Sequence, residues 1–430
     1  MALWVAAVLA AAAAAVVISD LETPHDEPVR AGADAVSKAR VKPVAARDFA
    51  DSVGVNIHLT YRTTPYGDFE RVLSSLEDLG VRHVRDGLVV GRPDQEERLN
   101  RLADAGIRST LIMGAPKVDT VADQIAVLER NLRVAEAIEG PNEYDVAGDP
   151  NWAPALRRYQ RDLYAQVNAN PALRDLGVLG PTVARTGNVD VLDGMRDAMD
   201  TANIHPYPGG GPPEPALARA HELLTKSTRR SDAVATETGY HNALKAGKGH
   251  PGVTEAVAAD YLPRLFLSAY ADGFRRTYWY ELVDVAAGDP GREANFGLLR
   301  ADFEPKPAFT ALKNLMRLVS DSGKAAGARR RLRMSISSSP RPVRRLLLQK
   351  ADGTYLLALW QELRLSGGAR ARLDERPARL RVELPQAVAR ATVYRPSRSS
   401  RPVTRLRGVK RIPVALGADA VVVHVARSAP

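Results

Sequence analysis

Two short stretches carry the residues best suited to chemistry. AIEGPNEYD, residues 137–145, ends an apolar run with Gly140-Pro141 and follows it at once with Asn142 and Glu143. TETGY, residues 236–240, sets Glu237 at the end of another such run. Two carboxylates facing each other across a pocket are the minimum machinery for hydrolysing a glycosidic bond. One is kept protonated by its surroundings and gives its proton to the leaving oxygen; the other stays ionised to attack or to activate water. Either glutamate alone reads equally well as an exposed strand-end carboxylate. As a pair they specify a reaction.

Something rigid must hold that pair. Between about Asp51 and Leu318 short apolar runs recur at 53–57, 81–84, 109–113, 137–140, 177–180, 202–205, 233–236 and 277–280. Stretches with helical spacing separate them, at 68–79, 95–105, 121–134, 154–169, 189–198, 214–224, 254–271 and 306–319. In FERVLSSLEDLG the apolar residues Phe69, Val72, Leu73, Leu76 and Leu79 share one face, and Gly80 stands at the stop position. Most of the runs are apolar on both sides of the pleat, as parallel strands covered by helices are. Eight such units predict a (β/α)8 TIM barrel, and no Gly-rich phosphate loop follows the first strand to favour a doubly wound sheet. Past Leu318 the pattern changes to short strands at 343–349, 355–360, 378–384, 391–394, 411–416 and 420–425. These predict a C-terminal antiparallel β-sandwich, with 41–46 as a candidate extra strand. The predicted division is 1–20 leader or anchor, 21–47 linker, 48–322 barrel and 323–430 β-domain.

In such a barrel the reactive groups sit where strands end. The eight ends supply His58, Arg85-Asp86, Gly114, Asn142-Glu143, Pro181-Thr182, His205 with Tyr207, Glu237, and Trp279 with Glu281. Arg85 has a plainer reading as the partner of Asp86, and His205 as a satisfied structural histidine. Alternation puts Tyr278 and Tyr280 on the opposite side of the last strand from Trp279.

GPNE at 140–143 and TETGY at 236–240 resemble the fourth- and seventh-strand motifs of the clan A retaining glycoside hydrolases. The intervening His205-Pro206-Tyr207 and the Trp at the eighth strand follow the same order. The resemblance covers about 51–320 and is greatest to family 39 and the cellulase-type family 5, including an appended β-domain. It implies Glu143 as acid/base, Glu237 as nucleophile and Asn142 as the partner of the sugar 2-hydroxyl. It further implies that Arg85 keeps Glu237 ionised, that Tyr207 orients it, that His205 lines the pocket, and that Trp279 is the floor on which a pyranose packs. His58 and Glu281 are further expected substrate contacts.

Composition narrows the alternatives. The chain has 430 residues, no cysteine, and a formal charge of +10. Disulfide and thiolate chemistry are therefore excluded. None of the eight histidines forms an HExxH or a close ligand cluster, so neither metal nor cofactor is expected. The apolar run 2–18, the polar stretch 20–30 and the small residues 31–35 predict an export signal or N-terminal membrane anchor. The expected partner is therefore an extracytoplasmic oligo- or polysaccharide, an anionic one included, acted on by a secreted or envelope-associated monomer. Aromatics make up only 6% of the chain, which argues against a long cleft with many stacking subsites. The rival reading is a non-catalytic carbohydrate-binding or envelope scaffold whose arginines, from Arg329 onwards, grip an anionic glycan. Nucleic-acid binding through those arginines is disfavoured by export and by the absence of interleaved aromatics.

Overall fold

The computed structural model describes residues 37–246, 250–321, 331–337, 339, 341–365 and 377–426. The apolar run at 2–18, the stretch that follows it and Arg329-Arg330 lie outside them. Among the described residues no helix is long and apolar enough to cross a membrane.

The strands run β1 (Ser37–Val41), β2 (Val44–Ala45), β3 (Val53–Asn56), β4 (His83–Leu88), β5 (Arg108–Met113), β6 (Ala135–Glu139), β7 (Gly177–Leu179), β8 (Ala202–Ile204), β9 (Ala233–Thr238) and β10 (Phe274–Trp279). After the barrel come β11 (Leu332–Ile336), β12 (Arg344–Gln349), β13 (Tyr355–Trp360), β14 (Ala378–Arg395), β15 (Ser399–Leu416) and β16 (Val421–Ala426). The helices are α1 (Ala46–Ala50), α2 (Phe69–Leu79), α3 (Pro93–Asp104), α4 (Val121–Arg130), α5 (Trp152–Ala169), α6 (Pro213–Thr228), α7 (Glu255–Ala271) and α8 (Pro307–Val319).

Strands β3 to β10 form one parallel sheet of eight strands in the order β7-β6-β5-β4-β3-β10-β9-β8. A bridge between Leu179 and Thr201, with Gly180 N–H donating to Thr201 O at 2.9 Å, joins β7 to β8 and closes the ring. This is the expected TIM barrel. Local signals explain its helices. Asp68 caps α2 by accepting from the Arg71 N–H, and Gly80 ends it in the left-handed region at φ 73°. The fifth crossover differs from expectation: Thr186–Met195 is a 3-10 helix, not an α-helix over 189–198. Its Gly187, Asn188, Gly194 and paired β-branched valines are poor α-formers.

The barrel interior is layered. Deep in it Tyr278 packs against Leu179, Val234 and Ala137. A Cβ on Gly54 would lie 2.3 Å from the Tyr278 ring, so only glycine leaves room for it there. Above that layer the inward side chains turn polar: Asn56, Arg85, Glu139, Asn203 and Thr236 are all buried. Buried polar groups need partners, and here they supply one another.

The C-terminal strands form a second, mostly antiparallel sheet of eight strands. β1 joins it through β11, and β2 pairs in parallel with β12, so residues before the barrel complete the domain after it. Two strands are longer than expected. The break foreseen near Pro385 is only a register shift between Glu383 and Val388 within β14. The arginine-rich first half of β15 shows too little apolar alternation to read as a strand. Strand β13 displays both of its duties by parity. Tyr355, Leu357 and Leu359 enter the sandwich core, while Leu356, Ala358 and Trp360 join the barrel's core.

Candidate active site

Arg85 organises the mouth of the barrel. Its side chain, projecting from β4, is 2% exposed, and all five N–H donors are committed. Nε and Nη2 bond the two oxygens of Glu139 at 2.6 and 2.7 Å. Nη1 donates to Glu237 Oε1 at 2.6 Å and Asn56 Oδ1 at 3.0 Å, and Nη2 also donates to Asn142 Oδ1 at 2.6 Å. One guanidinium thus fixes three strands' worth of groups. Its pairing with Asp86 does not form; Asp86 accepts instead from the Leu59 and Gly87 N–H groups and from Gln95.

The loop after β6 is shaped to bring Glu143 into the same space. A Cβ on Gly140 would sit 2.0 Å from Gln160 Oε1 and 3.0 Å from the Pro181 nitrogen, so this position requires glycine. Glu143 itself adopts the left-handed region, φ 45°, where a residue with a side chain is strained. Its N–H donates to Thr182 Oγ1 at 3.2 Å. Two residues on, Asp145 accepts from the Ala184 and Arg185 N–H groups and from Asn188, tying this loop to the one after β7.

His205 lies between the two glutamates. Its Nδ1 is 2.7 Å from Glu143 Oε1 and 3.6 Å from Glu237 Oε2, while Nε2 meets Thr236 Oγ1 at 3.1 Å. Tyr207 donates to Glu237 Oε2 at 2.8 Å. Ligand atoms of Glu143, His205 and Glu237 all lie within 4.8 Å of one another, a spacing that could also hold a metal ion. Both Glu237 oxygens, however, already accept bonds from Arg85 and Tyr207, which organises the trio for proton transfer.

The environment drives the two carboxyls apart. Burial dominates at Glu143 and raises it above its ordinary value; the charges of Glu237 and Asp145 add to this, and His205 opposes it. Burial also pushes Glu237 upward, but His205, Arg85 and the Tyr207 hydroxyl outweigh it and hold this carboxyl below its ordinary value. At His205, burial is overcome by Glu237 and Glu143, so its value is raised. The Glu143–His205 pair therefore keeps a proton while Glu237 stays ionised. Opposite shifts in one cleft mark acid and base assignments.

Around this centre the pocket is walled by His58, Tyr61, Asp86, Tyr144, Tyr280 and Glu293, with Asn142 and Tyr207. His58 stacks on Tyr61 at 4.4 Å, and its Nε2 is 3.3 Å from Glu281 Oε2. Burial lowers His58 to about 4, keeping it neutral. Glu281 is fully buried behind the wall, bonded by the Tyr66 hydroxyl at 2.8 Å, and is no substrate contact. Trp279 also departs from expectation. It points away from the pocket into the core beneath Tyr240 and α7, and Tyr280 takes the wall position. The parity that put Tyr278 inside the barrel put Tyr280 at its mouth.

Several residues at the centre were not foreseen: Glu139, Asn56, Thr236, Tyr61 and Glu293. Glu139 had a readable signal. A carboxylate inside an apolar strand run is untenable without a buried cation, and Arg85 was the candidate two strands away. Tyr61 and Glu293 come from loops, where spacing says little.

No protein-family model matches the sequence, and no curated protein matches it. Solved structures do resemble the fold. A family 39 glycoside hydrolase from Bacteroides cellulosilyticus aligns with TM-score 0.61 and 16% identity over 89% of this chain and 82% of its own. The family 39 enzyme from Xanthomonas axonopodis pv. citri gives 0.60 and 15% over 90% and 96%. A monomeric β-xylosidase from Caulobacter crescentus gives 0.60 and 14% over 91% and 98%. At these identities the likeness is one of fold, and it spans both the barrel and the β-domain.

Proposed function

We propose that this chain is a retaining glycoside hydrolase that cleaves β-linked sugars by double displacement. The observation that carries the reading is the buried Glu143–Glu237 pair, with oxygens within 4.8 Å and opposite electrostatic shifts. Retaining enzymes place their carboxyls ~5–5.5 Å apart, too close for a water to stand between carboxylate and sugar as inversion needs. Fold likeness to family 39 hydrolases agrees with this but does not carry it.

In the first step an oxygen of Glu237 attacks the anomeric carbon, and the bond to the leaving oxygen breaks as that oxygen takes the proton held by Glu143. Asn142, oriented by Arg85, faces the sugar's 2-hydroxyl. In the second step Glu143 removes a proton from water, whose oxygen displaces Glu237 and restores the free carboxylate. His205 Nδ1, 2.7 Å from Glu143 Oε1, holds that carboxyl in place as it alternates between acid and base. Arg85 has no donor left for a substrate carboxylate, and Asp86 and Glu293 share the wall, so the sugar at the cleaved bond is read as uncharged. The apolar run at 2–18 is the ground for placing the work outside the cytoplasm.

The test is a screen of aryl β-glycosides with wild type beside Glu237→Gln, followed by a 2-fluoro glycosyl fluoride matched to the best substrate. Turnover is expected to vanish in the variant, and peptide mapping should find the fluoro-sugar on Glu237. Residual turnover above trace, or a label elsewhere, would sink the assignment.

A further inference from the structure

We propose that the β-domain carries a second carbohydrate site: an arginine-lined hollow on β14, β15 and β16 that binds the carboxylates of an acidic polysaccharide. Register builds it. Arg390 on β14 lies directly opposite Arg407 on β15, and Thr392 lies opposite both Arg405 on β15 and His424 on β16. Residues two apart on a strand share a face, so Arg390, Thr392, Tyr394, Arg405, Arg407 and His424 line one concavity of about 400 Å³. That is more than ten times the ~30 Å³ share of one water, enough for a sugar carboxylate with part of its ring.

Charge separates these arginines from their neighbours. Arg395 pairs with Asp419, Arg398 with Asp260 and Arg411 with Glu383. Arg390, Arg405 and Arg407 are exposed, and among the described residues none has an acidic partner. Among the described residues no carboxylate lines the hollow. Like charges set directly opposite on paired strands are destabilising, so the fold gains nothing from Arg390 facing Arg407. An anion bridging them would reverse the sign of that contact, since a guanidinium fork matches a carboxylate in shape and charge. Thr392 and the amphipathic Tyr394 ring add the hydroxyl and apolar contacts suited to a sugar.

The location adds a constraint. His424 Nε2 meets Thr354 Oγ1 at 3.0 Å, and the adjoining Lys350 bonds the Leu318 carbonyl at the C-terminal end of α8. That end of α8 lies at the barrel face opposite the catalytic mouth. The hollow therefore holds a stretch of polymer remote from the bond being cut. Three guanidiniums converging on a hollow suit single acidic groups on a flexible chain better than a plane of lipid headgroups.

The experiment uses the full chain carrying Glu237→Gln, with alginate as the polyuronate, dextran as the neutral polymer, and phosphatidylglycerol vesicles. Alginate is expected to bind, dextran not, and binding should fail at about 1 M salt, where the screening length is ~3 Å. Adding R390Q/R407Q should weaken alginate binding at least about tenfold without lowering the melting temperature, because a like-charge pair is removed. The exposed pair R158Q/R174Q on the barrel should leave binding unchanged. Equal alginate binding by all three proteins, an equal loss in the R158Q/R174Q protein, or capture of vesicles with none of alginate would each overturn the proposal. Aryl glycoside turnover by R390Q/R407Q in an otherwise wild-type chain should match wild type, so failure here is distinct from failure of the catalytic reading.

Discussion

Arg85 and Glu139 meet as a buried bidentate pair, 2.6 and 2.7 Å, directly beneath the group read as the nucleophile. Neither reaches the pocket's sugar directly through this contact. Glu139 instead balances the guanidinium that holds Glu237 and Asn142. Glu139→Gln should therefore lower kcat by about 100-fold through misplacement of the reacting groups, with little change in KM. It should also lower the melting temperature, since one partner of a buried ion pair is lost. A fall in stability with unchanged kcat would show that the pair serves the fold alone.

Glu143 is read as the proton donor of the first step and the base of the second. In kcat/KM, Glu143→Ala should cost about 10²- to 10⁴-fold with poor leaving groups and far less with dinitrophenyl leaving groups, which depart without a proton, while the second step stays slow for want of a base. Azide should restore turnover and yield a glycosyl azide that keeps the β configuration. Equal losses across leaving groups, or an α-azide, would contradict the assignment.

His205 lowers Glu143 through its hydrogen bond and its charge, and Glu237 through its charge. Replacing it with asparagine keeps a hydrogen-bonding group and removes that charge. Both limbs of the pH profile of kcat/KM should then move to higher pH, the acid limb with Glu237 and the alkaline limb with Glu143. A downward shift of either limb would refute the picture.

Glu281 offers a test on stability. Burial raises its carboxyl well above the ordinary value, so the folded chain holds that proton more tightly than the unfolded one. Its contribution is fully present below the unfolded value and is lost as pH rises towards the folded one. Glu281→Gln removes the titration while keeping an acceptor for the Tyr66 hydroxyl. Urea unfolding between about pH 5 and pH 8 should show the variant gaining on wild type as pH rises. A difference that stays constant with pH would rule this out.

Much of this is legible in the sequence. The barrel follows from alternating strand and helix periods, and Gly80 and Gly106, both at φ 73°, punctuate them. Position at strand ends was enough to bring Arg85, Asn142, Glu143, His205, Tyr207 and Glu237 together. Trp279 and Tyr280 stand on opposite sides at the end of β10, and which side meets the pocket is set by the packing against Tyr240, which the residue types do not encode. Glu139 was hidden by its place inside an apolar run, although its charge there demanded a cation. The first half of β15 was obscured because its arginines answer to electrostatics, not to core packing. The roles of β1 and β2 depend on partners far away in the chain, which no local pattern encodes.

That last pairing has a consequence for biosynthesis. β1 finds its place against β11, roughly 290 residues later in the chain, and β2 waits still longer for β12. At ~5–20 residues per second the leading strand spends on the order of tens of seconds with bare edges while the ring of eight strands assembles behind it. The barrel is thus threaded between two parts of one sheet, and the ribosome must nearly finish before that sheet can close. Removing the trailing domain would not yield a tidy isolated barrel. It would strand two orphaned edge segments at the front of the chain, ready to pair with the same segments of another copy.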